Sequence, residues 1–142
     1  MPLINFGSVL NFAEELERKA SEFYQAGAAN PACGSYRACF EQFVVESRKN
    51  IQVVQRTRRE NVTEMILEPI RDFVRAPFCT ECGDAPGMNP EQTLGMARRL
   101  EERAQEYYQQ AAEKIKALPE VARTLKTLGK KHSARIKQLD AL

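Results

Sequence analysis

The chain has 142 residues, 43% of them hydrophobic, which is enough for one domain with a substantial core and too little for two. Its 21 basic and 19 acidic residues nearly cancel, to a formal charge of +2, and are interspersed in the manner of solvated helix faces. The basic clusters Arg56-Thr57-Arg58-Arg59 and Lys130-Lys131-His132 are too short to mark a nucleic-acid partner, and no segment approaches the roughly 20 apolar residues of a membrane span.

The segment Met1-Pro2-Leu3-Ile4-Asn5-Phe6 carries neither a basic leader nor a long apolar run, so a soluble, cytoplasmic protein is expected. The first helix is predicted from Asn5 or Ser8, either of which can cap it, to about Ala29, where Asn30-Pro31 stops it. Cys33-Gly34-Ser35 makes a turn. A second helix places Tyr36, Phe40, Phe43, Val44, Ser47, Ile51 and Val54 on one face and persists to about Arg59. Ile66, Ile70, Phe73 and Val74 suggest a shorter amphipathic helix within residues 61–76. The one long irregular stretch follows, from Pro77 to Pro90, with Cys79-x-x-Cys82-Gly83 inside it. Asn89-Pro90-Glu91-Gln92 supplies a cap and a Pro at the first helical position, which predicts a third helix from Pro90 to about Leu118. Pro119 opens a fourth, with Val121, Leu125, Leu128, His132, Ile136 and Leu139 on its face. The expected fold class is all-α.

One stretch occurs twice. Glu17-Arg18-Lys19-Ala20-Ser21-Glu22-Phe23-Tyr24 returns as Glu101-Glu102-Arg103-Ala104-Gln105-Glu106-Tyr107-Tyr108. In each copy Glu, Ala and Tyr fall at i, i+3 and i+7, on a helical face that is otherwise apolar. A single Glu on such a face is commonly a boundary residue with its head in solvent. Its recurrence with the same Tyr in two separate helices points instead to a carboxylate placed inside each stripe.

Two helical hairpins of similar sequence joined by a long connection imply a four-helix bundle with a pseudo-twofold axis. At Phe6-Gly7-Ser8-Val9-Leu10 leading to Glu17, and Asn89-Pro90-Glu91-Gln92-Thr93-Leu94 leading to Glu101 and Tyr108, the chain resembles the two halves of a rubrerythrin-type, ferritin-like domain. The resemblance covers most of the chain outside the cysteine-containing loops. It implies a bundle with a full-length crossover, parallel second and third helices, a homodimer, and a di-iron centre that reacts with oxygen or peroxide.

Such a centre takes one Glu from the first and third helices and a Glu-x-x-His from each of the others. Glu17 and Glu101 match the first pair. The fourth helix offers Gly129-Lys130-Lys131-His132, which keeps the His and replaces the bridging Glu by Gly. In the second helix either Glu46 and Lys49 or Ser47 and Asn50 stand at the motif, and the helical period favours the latter, since Glu46 lies roughly 100° from the centre of the inward face. Glu17, Glu101 and His132 therefore remain as a residual set. It could hold one iron or other divalent ion as a facial triad, or form a metal-free polar cluster with Ser47, Asn50, Tyr24 or Tyr108, drawing a charged imidazole between the carboxylates. A di-iron centre is not expected.

Cys33, Cys39, Cys79 and Cys82 form two pairs, and the bundle topology lets the crossover bring Cys79 and Cys82 toward the turn that holds the other two. A four-thiolate zinc site is the preferred expectation, with a redox dithiol at Cys79 and Cys82 or free thiols as the other readings. Two function classes follow: a binding or regulatory bundle that has lost its di-iron centre, and a non-haem metal oxidoreductase that reduces peroxide or oxidises iron.

Overall fold

The computed structural model describes residues 5–61, 73–74, 76–79 and 89–142. Helix α1 spans Phe6–Ala29 and begins in a capping box: Ser8 N donates to Asn5 Oδ1 at 2.8 Å and Asn5 N donates to Ser8 Oγ at 3.2 Å. Both candidate caps thus act together. A 3-10 turn over Pro31–Tyr36 leads into α2, Arg37–Glu60. Helix α3, Pro90–Lys114, starts from the same kind of box, made by Asn89 and Gln92, and α4 covers Pro119–Asp140.

The third helix stops at Lys114, four residues short of the sequence expectation. Leu118 precedes Pro119, whose ring disfavours the α region for the residue before it, and Leu118 sits at φ −112°, ψ 85°. The turn over 115–118 has to absorb that change. The expected helix over 61–76 lies outside the described residues except for Asn61, Phe73, Val74 and the start of a short 3-10 turn, Ala76–Phe78. Among the described residues there is no helix long and apolar enough to cross a membrane.

Cross-helix hydrogen bonds fix the directions. Tyr107 donates to the Val9 carbonyl at 2.6 Å and Arg58 donates to Asn11, so the start of α1 lies beside the ends of both α2 and α3. At the opposite end the Cys33 thiol donates to Thr93 Oγ1 at 3.4 Å. Helix α1 of this four-helix bundle is therefore antiparallel to α2 and α3, which run in the same direction. Arg98 pairs with Asp140 and Glu101 with His132, so α4 runs antiparallel to α3.

The core is split along the bundle axis. One apolar cluster contains Val9, Leu10, Phe12, Ala13, Val54, Tyr107, Ala111, Leu125 and Leu128; the other contains Phe23, Tyr24, Phe40, Phe43, Ala97, Leu100 and Leu139. Between these clusters every helix buries polar side chains: Glu17, Ser47 and Asn50, Glu101, and His132 with Arg135. Each buried Leu or Phe stabilises the fold by roughly 1.5–3 kcal/mol, and two such clusters can support a central layer that by itself costs free energy to bury.

Candidate functional site

Periodicity brings the layer together. Glu17, Glu101, His132 and Arg135 are each no more than 1% exposed, although charged residues are seldom buried without partners. His132 Nε2 contacts Glu17 Oε2 at 2.7 Å, and His132 Nδ1 contacts Glu101 Oε2. A carboxylate can only accept, so an imidazole that meets an ionised oxygen at both ring nitrogens must donate twice and carry a positive charge. Burial pushes the imidazole down, but the charges and hydrogen bonds of Glu17 and Glu101 outweigh it and raise His132 from 6.5 to about 9. For Glu17 burial acts upward, and His132, Arg135 and Asn50 overcome it to hold the carboxyl down to about 2. Glu101 is lowered by the same balance, with Tyr24 as its hydroxyl donor.

The sequence repeat becomes an exchange of partners in the structure. Tyr24, from the first copy, donates to Glu101 Oε1 at 2.6 Å, and Tyr108, from the second, donates to Glu17 Oε2 at 2.9 Å. Each copy thus supplies the hydroxyl that satisfies the carboxylate of the other. Burial and the adjacent carboxylates raise both phenols well above their ordinary value, so they remain donors. Asn50 Nδ2 completes Glu17 by donating to Oε1 at 3.0 Å.

The residue missed from the sequence is Arg135. Its Nη1 donates to Glu101 Oε1 at 3.2 Å, its Nε to Glu46 Oε2 at 3.3 Å, and its guanidinium carbon lies 5.2 Å from the centroid of the Phe43 ring. The signal was available: Arg135 falls three residues after His132, seven after Leu128 and four before Leu139, inside the inward stripe of α4. With it the layer balances, two carboxylates against one imidazolium and one guanidinium.

Ser47 and Asn50 occupy the inward positions of α2, while Lys49 is exposed and Glu46 lies at the edge, its side chain 36% exposed. The donor set does not fit a pair of iron ions. Ser47 and Gly129 stand where bridging carboxylates would be needed, a Cβ at Gly129 would meet the Tyr108 Cβ at 3.2 Å, and Glu101 is already bound by a guanidinium.

The cysteines are dispersed. Cys33 is buried against Thr93, and Cys39 is half-buried near the start of α2, where burial and then Glu46 push its thiol up. Cys79 is exposed and lines a cleft of about 100 Å³ with Phe12, Leu16, Phe78 and Leu100, which reaches Glu101 and His132. Thr93 and Glu101 are separated by roughly 12 Å along α3, at about 1.5 Å per residue, so the structure does not gather Cys33 and Cys79 at one level. Cys82 lies outside the described residues. Among the described residues no group of three or more His, Cys, Asp or Glu side chains is arranged to hold a metal ion. No family model, curated protein or solved structure matches the chain.

Proposed function

We propose that this chain is a ferritin-like bundle of the rubrerythrin kind in which organic cations have taken the place of metal ions, and that it works as a binding or regulatory module. The observation that carries the reading is the pairing of Glu101 and Glu17 with His132 and Arg135. Four buried charges cancel within the layer, so the carboxylates have their counter-charge without a metal. The parallel course of α2 and α3 supports the ferritin-like connectivity, because it requires a connection from one end of the bundle to the other. A zinc staple on Cys33, Cys39, Cys79 and Cys82 is no part of this reading, given the separation of Cys33 and Cys79.

Elemental analysis of protein made without added metal, followed by anaerobic loading with ferrous iron and exposure to oxygen, tests the proposal. The expected result is no stoichiometric iron and no visible absorption after oxygen. An oxo-bridged absorption band overturns it and restores the oxidoreductase reading. One observation favours that second reading: the cleft beside Cys79 gives a small molecule a path to Glu101 and His132.

A further inference from the structure

A second cleft, of about 290 Å³, lies between α2 and α4 and is lined by Arg135. Its lining combines the side-chain stems and Ala134 with the polar groups of Glu46, Lys49, Asn50, Lys131, Arg135 and Gln138, and its volume is near the lower end for small-molecule sites. Two of these residues are 1% exposed and carry polar atoms without a partner: Arg135 Nη2, a donor, and Asn50 Oδ1, an acceptor. Buried polar atoms in native proteins are nearly always satisfied, so an unpaired donor and an unpaired acceptor on two side chains that line one cleft call for something that offers both. Lys49 and Lys131 add two exposed ammonium groups, from facing helices, that pair with no carboxylate among the described residues. The Glu46 carboxylate at the edge is engaged by Arg135 Nε.

We propose that this cleft binds a phosphate dianion that carries a hydroxyl, either inorganic phosphate or a small phosphate monoester with a neighbouring hydroxyl group. Phosphate oxygens accept from Arg135 Nη2 and from both lysines, whose two charges match the dianion. The hydroxyl donates to Asn50 Oδ1. Because Asn50 also donates to Glu17, and Arg135 to Glu101, the ligand acts on the same side chains that hold the central layer. The inference rests on the binding-module reading and names its ligand class.

Calorimetric titration of the full chain with inorganic phosphate, glycerol 3-phosphate and sulfate tests it. Saturable binding of either phosphate supports the assignment, and the tighter of the two identifies the source. Sulfate, a dianion without a hydroxyl at neutral pH, leaves Asn50 Oδ1 unpaired and is expected to bind at least about fivefold more weakly. Replacing both rim lysines, Lys49→Ala with Lys131→Ala, is expected to weaken phosphate at least about tenfold. Both side chains are exposed, so an unchanged helical circular dichroism spectrum and unfolding midpoint identify that loss as a binding effect. No saturation by either phosphate up to about 10 mM, equal affinity for sulfate, or an unweakened double variant overturns the proposal. Failure here leaves the absence of iron untouched, and iron uptake would refute the metal-free layer without altering the phosphate titration.

Discussion

Arg135 Nη1 donates to Glu101 Oε1 at 3.2 Å, and both side chains are 1% exposed. Removing one member of a buried ion pair leaves the other charge in a medium that solvates it poorly. Arg135→Met is therefore expected to destabilise the protein by about 3 kcal/mol in urea unfolding, although the Met stem preserves much of the packing. Adding Glu101→Gln removes the stranded charge, so the double variant is expected to lose less than the sum of the single losses. Strict additivity would show that the two groups do not interact in the folded state.

The exchange of tyrosines makes a symmetric prediction. Tyr24→Phe removes the donor to Glu101, and Tyr108→Phe the donor to Glu17, each at a buried carboxylate. Each change is expected to cost about 2 kcal/mol, the usual range for a hydrogen bond to a charged group. Guanidinium unfolding of the two variants checks it. A loss confined to one of them would show that only one half of the repeat is energetically engaged.

Stability depends on pH through the same layer. His132 is raised from 6.5 to about 9, so its contribution is complete below pH 6.5 and is lost as pH rises through 9. Glu17 is lowered from 4.5 to about 2, so its contribution is complete above pH 4.5 and is lost as pH falls through 2. Unfolding free energy is therefore expected to be highest between about pH 4.5 and 6.5. It falls on the alkaline side by about 3 kcal/mol, at roughly 1.4 kcal/mol per unit over the span of the His132 shift. Urea titrations at several pH values test the slope, and His132→Asn should flatten its alkaline limb.

Two helical glycines separate propensity from packing. Gly95 is exposed and a Cβ there meets nothing within 4 Å, so Gly95→Ala is expected to stabilise α3 by about 1 kcal/mol. At Gly27 a Cβ would meet Cδ2 and Cε2 of Phe40 at 3.0 Å, in the cluster that also holds Tyr24 and Phe43. Overpacking costs about 1–3 kcal/mol and outweighs the same propensity gain, so Gly27→Ala is expected to lower the thermal midpoint. A midpoint that rises in both variants would mean that Phe40 moves aside freely.

Much of this architecture was legible because it depends on local pattern. The capping residues Asn5 and Asn89, the breaks at Pro31 and Pro119, and the inward placement of Ser47 and Asn50 all follow from spacing along one helix. The repeat marked Glu17 and Glu101, but the exchange of their tyrosine partners did not follow from it, since that depends on which helices face one another. Arg135 was passed over for a chemical reason. A long basic side chain on a helix is ordinarily a surface group with its head in water, and only the level of Glu101 on the neighbouring helix makes this one an interior counter-charge. The cysteine pairs rest on spacing alone: Cys33 packs against Thr93, Cys79 lines the cleft at Glu101, and Cys82 lies outside the described residues.

The strongest test of the proposed metal-free layer is to build a metal centre into it. Ser47→Glu, Asn50→His and Gly129→Glu would supply the absent donors. The structure predicts that they are insufficient. Arg135 would remain on Glu101, and a side chain at position 129 puts its Cβ 3.2 Å from the Tyr108 Cβ, so Tyr108, the donor to Glu17, must give by a few tenths of an ångström. Charge gives the same answer. Four carboxylates balance two ferrous ions when both imidazoles are neutral, whereas a retained guanidinium leaves one positive charge in excess in a medium where such an excess is costly. Adding Arg135→Leu removes that excess, so the fourfold variant is expected to take up more ferrous iron under anaerobic conditions than the threefold one, read as metal per chain after desalting. Circular dichroism on both variants separates a failure to fold from a failure to bind. Equal uptake by two folded variants would show that Arg135 does not compete with metal for Glu101.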